Sequence, residues 1–409
     1  MISLDFKQAQ VYLHAKYPSL NAKLLLETAR SRGLSGFTTT PGGLDVLAHI
    51  DLVSRPPESL TEVFQRVVGA VRELQRQDTR FLDAGSPAAP HVTAAAQRIA
   101  SASQVCQLPN VEIPEERLGV TDGVLSARLI ASHLLTERQT TQLLNSQLFV
   151  DVGYHQVKMY PEELAPFLGA QRLAGLVQSP DQAQKLLDLF SWRAPTGEKG
   201  VYRNFLPLIG WLATLNPHCR EEVLERDPQA LAFFGDLRNP DMPLPAAYSA
   251  LERSIRAVVE RGDQLGRGHF TLTSENFWQA GPTAVLPLIE RLFIECGHHS
   301  EARDALLSVA RHSGSEGLRP LVLSEHDGDF GQVVRNSGDL HYLLSVGHEE
   351  DLFALAETLK SDPELRDSTK ATLISHLAWK QLSGSEIGAV VNAHFHRGLG
   401  GFNIAYGLD

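Results

Sequence analysis

No apolar run in this 409-residue chain approaches the roughly 18 to 20 residues that crossing a bilayer takes, so no membrane span is expected. Cysteine is scarce. Cys106, Cys219 and Cys296 are too few and too scattered for a disulfide framework or a zinc finger. They suit a reducing compartment, as small buried apolar side chains. Alternating strand patterns are also rare, and "QLFVDVGYHQVKMY" (residues 147–160) is the best candidate for a short hairpin. Standard catalytic and cofactor signatures are missing. "PTGEKG" (195–200) lacks the spacing of a phosphate loop, and no G-x-S-x-G elbow exists. "EHDGDFGQ" places Asp327 and Asp329 together, but Gln332 and Gly338 stand where a calcium loop needs Gly and Glu. It reads as an acidic turn capping the next helix. The opening residues "MISLDFKQAQVYLHAKYPSL" are polar where a signal peptide has its apolar core. The expectation is a cytoplasmic location, with a secretion route that reads another kind of signal left open.

What is present is helical periodicity. The hydrophobic share of 43% and charged share of 21% are those of an ordinary globular protein. In "SLTEVFQRVVGAVREL" (59–74) the residues Leu60, Val63, Phe64, Val67, Val68, Val71 and Leu74 recur three and four apart, as one helix face requires. Ser59 with Glu62, and Ser179 with Gln182 behind Pro180, form capping boxes. The same template fits most of the chain, so the expected fold is all-α, a multi-helix bundle or an irregular solenoid of antiparallel helix hairpins. Breaker-rich stretches suggest the boundaries, the strongest being "LRNPDMPLPA" (237–246). They divide the chain into helical regions at 1–106, 120–236 and 246–409.

The formal net charge is −11, and residues 321–369 hold eleven acidic against three basic side chains, −8 of it. A phosphate backbone is repelled there, so nucleic acid is not an expected partner. Histidine is concentrated in the same third of the chain, ten of 16 lying after residue 268. The groups are Cys296 with His298 and His299, Glu325 with His326, Asp327 and Asp329, and His394 with His396. No pair has helical metal-ligand spacing and no third ligand is indicated, so neither metal nor cofactor is expected. His218 beside Cys219 reads as the end of the helix containing Trp211, because His suits a helix C-terminus.

The stretch "DLHYLLSVGHEEDLFALAETL" (339–359) resembles an ankyrin repeat. Leu340, His341, Leu343, Leu344, Gly347, His348 and Leu352 fall at the spacings of that family's Leu-His and Gly-His pattern. The resemblance implies two short antiparallel helices with Gly-His at the joint. Gly can take the left-handed conformation that ends the first helix, and a neighbouring polar side chain can satisfy exposed backbone groups. A second Gly-His stands at Gly297-His298, and a partial third unit keeps Leu377 and Gly384. The glycines lie 50 and 37 residues apart, against a family period near 33, and Leu343 and Leu344 replace two alanines.

Such hairpins present surfaces, and repeat arrays bind protein. The expected function is therefore a non-enzymatic interaction protein, a helical scaffold of the effector or assembly-factor kind, binding another protein through its C-terminal hairpins. The residues expected to meet that partner are His341, Tyr342, His348, Leu352, Phe353 and Trp379. The alternative is an enzyme, a hydrolase or transferase, with an acid–base site assembled from Glu325, His326 and His341. Glu325 and His326 are adjacent and point about 100° apart on a helix, so they need third parties to cooperate.

Overall fold

The computed structural model describes residues 4–31, 34–50, 52–53, 55, 57–77, 89–114, 123–195, 197, 199–261, 283–362, 364–377, 381–382 and 385–386. Among them are twenty α-helices and six short strands, the predominantly all-α architecture that the periodicity implies. The described chain divides into two compact units. Unit 1 runs to Ser254, and unit 2 holds the described residues from Ile255 onward.

Unit 1 begins with α1 (Phe6–Lys16), α2 (Ala22–Ser31), α3 (Pro41–His49), α4 (Leu60–Gln77) and α5 (Ala89–Cys106). A small sheet follows, built from β1 (Asn110–Glu112), β2 (Leu125–Ser126), β3 (Phe149–Gly153) and β4 (Gln156–Met159) in the order β2-β1-β4-β3. β1 and β2 are parallel, whereas β3 and β4 form the antiparallel hairpin, Phe149 opposite Met159. Between β2 and β3 lie α6 (Ala127–Ala131) and α7 (Glu137–Leu144); α8 (Leu164–Ala174) and α9 (Pro180–Asp188) come after the sheet. A second hairpin, β5 (Ser191–Arg193) with β6 (Lys199–Val201), precedes α10 (Leu206–Leu215), α11 (Pro217–Arg226), α12 (Pro228–Phe234) and α13 (Leu244–Arg261), the last of which belongs to unit 1 as far as Ser254 and to unit 2 from Ile255. The amphipathic face of α4 sends Phe64 into a three-ring cluster with Phe167 of α8 and Trp211 of α10, centroids 4.9 to 5.5 Å apart. Such rings gain about 0.5–1.5 kcal/mol per pair beyond the area they bury.

Both capping boxes form in a shifted way. Ser59 Oγ accepts from the Glu62 N–H (3.1 Å), but the Glu62 carboxylate takes the N–H of Glu58, one residue before the cap (3.0 Å). Ser179 and Gln182 repeat this, the Gln182 carbonyl oxygen accepting from the Gln178 N–H at 2.7 Å. One local expectation is corrected. His218 does not end α10; Asn216 caps α11, which places His218 in the first turn of that next helix. The proline-rich stretch at 237–246 is bound into unit 1 at its start, where Leu237 is buried and the Asn239 side chain donates to Thr61 Oγ1 at 3.0 Å.

Unit 2 contains α14 (Leu286–Cys296), α15 (Ser300–His312), α16 (Arg319–Glu325), the single turn α17 (Phe330–Val333), α18 (Ser337–Val346), α19 (Glu349–Ser361) and α20 (Asp367–Leu377). α15 packs against α14 and α18, and α19 against α18 and α20. The inner faces of α18 and α19 close over Leu340, Leu344, Leu352, Leu355 and Leu359. Each such leucine contributes about 1.5–3 kcal/mol on full burial. Asp329 caps α17 by accepting from the Gly331 N–H at 2.8 Å, the acidic turn expected of that stretch.

Candidate functional site

Helical spacing puts Asp339 one turn before Tyr342 and Leu343, on the core-facing stripe of α18, and its side chain is fully buried. A lone carboxylate there would cost several kcal/mol in lost hydration. Two cations or donors meet it. Arg303 of α15 donates from Nε to Oδ1 at 2.9 Å, and His326, the residue that ends α16, holds Oδ2 through Nε2 at 2.7 Å. Arg303 also reaches Glu325 through Nη1. Its guanidinium lies over the Phe293 ring, 4.8 Å from the centroid. Burial by itself would lower the Arg303 pKa, but the hydrogen bond and charge of Asp339, helped by Glu325, hold it above the usual value. Arg303 Nη2 and His299 Nδ1 are buried without a hydrogen-bond partner among the described residues.

The third parties that Glu325 and His326 require are thus Arg303 and Asp339. Neither was singled out from sequence, although an Asp on an apolar helix stripe was a readable sign of a buried counterion. His341 is not part of the cluster. Its Nδ1 bonds the Ser337 carbonyl oxygen (2.6 Å) and hydroxyl (3.2 Å), one turn back on α18. Chemically the arrangement contains an Asp–His pair joined through Nε2, not through the Nδ1 that a serine-hydrolase triad uses, and locked to a guanidinium. A cleft of about 250 Å³ opens elsewhere in unit 2, lined by Val334, Arg335, Asp362, Leu365 and Arg366 among others, and no member of the cluster lines it. Among the described residues no group of three or more His, Cys, Asp or Glu side chains is arranged to hold a metal ion. His394 and His396 lie outside the described residues.

The α18–α19 joint is the second candidate. Gly347 ends α18 with φ +72° and ψ +26°, left-handed as the Gly-His pattern implies, and its N–H returns to the Leu343 carbonyl. His348 makes no capping hydrogen bond; its Nε2 instead meets Glu316 at 3.1 Å. At the other Gly-His the geometry differs. Gly297 has φ −67°, and a Cβ there would run into the Phe293 carbonyl oxygen. The partner-facing residues expected from sequence separate clearly. Tyr342 is fully buried, donating to the Ser315 carbonyl at 2.9 Å, and Leu352 belongs to the core. Neither presents surface. His341 and His348 are half-buried, and Phe353 is 59% exposed. Trp379 lies outside the described residues.

A second buried acid on α19, Asp351, receives Arg319 bidentately at 2.7 and 2.8 Å. That fork raises the Arg319 pKa and ties α16 to α19. Of the cysteines, Cys219 and Cys296 are buried and Cys106 is exposed. Burial, with Glu222 nearby, pushes the Cys219 thiol up to about 12, far from nucleophilic.

No family model matches this chain, and no match is found among curated proteins or solved structures.

Proposed function

We propose that this chain is a non-enzymatic interaction protein that binds another protein through the outer face of the α18–α19 pair. The observation that carries this reading is Phe353. The inner face of α19 closes its core with Leu352, Leu355 and Leu359, while the same helix holds a large aromatic ring in solvent. Aromatic side chains with this exposure are the usual anchors of protein interfaces. The left-handed Gly347 and the Arg319–Asp351 fork fix α19 in place, so the ring is offered on a rigid element. Affinity capture from native lysate with the full chain tests it. A stoichiometric partner retained by the native chain and lost from Phe353→Asp, at unchanged melting temperature, supports the reading. No stoichiometric partner, or equal capture by both proteins, removes it.

A second reading, an acid–base enzyme of the hydrolase or transferase kind, rests on the 2.7 Å bond between His326 and buried Asp339. Against it stands Arg303, which already occupies the other Asp339 oxygen. Alanine replacement of Glu325 and His326 together separates the two. A folded double variant with full biological activity excludes the enzyme; loss of activity with partner binding intact favours it.

A further inference from the structure

We infer that the partner recognised by α19 is a basic amphipathic helix, one that places an aliphatic side chain between two cations about two turns apart. This rests on the interaction reading above and adds its chemistry. Glu350, Phe353 and Glu357 follow one another at spacings of three and four, so they share one face of α19. All three are exposed, the Glu350 side chain by 93% and Glu357 by 53%. The ring is therefore bracketed by carboxylates.

Among the described residues these charges are partly neutralised. Glu350 has Arg319 at 4.0 Å, and Arg319 is already committed to Asp351. Glu357 meets Lys360 at 3.0 Å, but Lys360 also serves Glu386 at 2.8 Å, one cation between two acids. Glu349 adds a further exposed carboxylate at the start of the helix. Acids in a first turn also complement a helix's own dipole. That accounts for Glu349 and Glu350; Glu357, in the third turn, is held by Lys360 and still keeps its side chain 53% exposed. The resulting field attracts a basic surface and repels phosphate and anionic lipid.

The spacing argues for a helical partner. Seven helical residues span about 10.5 Å. A second helix lying along α19 repeats that interval, with cations seven residues apart and an apolar residue between them on the same face. An extended chain rises about 3.3 Å per residue and alternates its side chains. Its same-face positions fall at about 6.6 and 13 Å, and neither matches. A rim of charge pairs around one buried apolar contact sets orientation and encounter rate, while the Phe353 contact sets the dissociation rate.

Synthetic helical peptides and the full chain test this by fluorescence anisotropy. The basic probe carries two Lys seven residues apart around a Leu. One control exchanges those Lys for Glu; the other keeps the composition and moves the Lys to an alternating period. The basic probe is expected to bind, to weaken at least about tenfold with Phe353→Ala, and to weaken as salt rises from about 50 to about 200 mM. Charge reversal at Glu350→Lys with Glu357→Lys is expected to switch preference to the Glu probe. Melting curves confirm that each variant is folded. Binding no tighter than that of the scrambled control, or insensitive to both substitutions, overturns the inference. If a Phe353-dependent partner is captured from lysate while the basic probe fails, the chemistry assigned here is wrong and the interaction reading survives. If neither binds, both fall.

Discussion

Asp236 in unit 1 and Asp339 in unit 2 are buried to the same degree, 1% and 0% exposed, and are satisfied in opposite ways. Among the described residues Asp236 meets neutral donors: the Thr61 N–H and hydroxyl, each at 2.7 Å, the Arg238 N–H at 3.1 Å, and the Ser59 hydroxyl. It serves as a cap supplied from 175 residues away for the first turn of α4. Asp339 meets Arg303 and His326, and through Arg303 it joins Glu325. A neutral cradle leaves the cost of burial on the carboxylate itself, and burial pushes the Asp236 carboxyl above its ordinary range. An ionic cradle makes each partner depend on the other. The first kind of node tolerates loss of charge. The second does not.

That contrast is broken or confirmed by Asp-to-Asn replacement at both sites. Asp339→Asn removes the buried counterion of the Arg303 guanidinium and leaves it only the half-exposed Glu325, and is expected to cost about 3–5 kcal/mol. Asp236→Asn keeps one acceptor oxygen, enough for the Thr61 donors at Oδ2 or for the Arg238 N–H at Oδ1 but not for both, and should cost about 1–3 kcal/mol. Denaturant unfolding of the full chain, with probes in each unit, measures both. The sign of the pH effect sharpens the test. Because the folded pKa of Asp236 is raised, its contribution is full below the unfolded carboxyl range and is lost as the pH rises through the folded value. The wild-type advantage over Asp236→Asn therefore shrinks with rising pH. Replacing Arg303 and Asp339 together, by Met and Leu, should cost less than Asp339→Asn alone, since no buried charge is then stranded. If the double replacement is worse, the cluster is more than a staple.

Two tyrosines repeat the comparison at alkaline pH. Burial holds the Tyr342 phenol at about 12 while its hydroxyl donates to a backbone carbonyl. Tyr17 reaches about 12 through burial together with the charge of Asp45, to which it donates at 3.0 Å. Both folded values lie above the ordinary 10.0, so this stability is full below pH 10 and is lost as the pH climbs toward 12. For fully buried Tyr342 the shift corresponds to about 2–3 kcal/mol. Tyr342→Phe should flatten that part of the alkaline unfolding curve. Added salt should weaken the Tyr17 contribution, which includes an ionic part in a half-exposed site, and leave that of Tyr342 in place.

Local signals were legible in the sequence; meetings between distant side chains were not. The helices, the β3–β4 hairpin and the left-handed Gly347 follow from periodicity and backbone preference, which act over a few residues. Glu325 and His326 were visible as a pair, yet what binds them is Arg303, 22 residues before Glu325, and Asp339, 13 after His326. Spacing along a chain carries no information about such partners. The same limit explains the stretch at 237–246. Its prolines mark a break in helix, but Asn239 bonds a hydroxyl 178 residues away, and that bond turns a break into a docked segment. Tyr342 and Leu352 illustrate a subtler limit. Repeat-like spacing identifies positions, and only the register of each helix against its neighbours decides which of them face outward.

The smallest expected effects lie side by side at the α18–α19 joint, where the two residues of the Gly-His dipeptide should come apart. Gly347 sits at φ +72° with no atom closer than 3.9 Å to a Cβ built there. Gly347→Ala therefore meets no clash, and its cost is the left-handed backbone alone, about 1 kcal/mol. His348 caps nothing, and its pairing with Glu316 is solvent-exposed, at 38% and 65% of the two side chains. Exposed pairs of this kind are worth about 0–1 kcal/mol, so His348→Ala should fall within about 0.5 kcal/mol of wild type in a melting or denaturant experiment. If His348→Ala instead matched Gly347→Ala, a surface pair would be acting with the strength of a buried one. The distinction drawn between Asp236 and Asp339, that ionic partners matter through burial rather than through charge alone, would then fail at its simplest point.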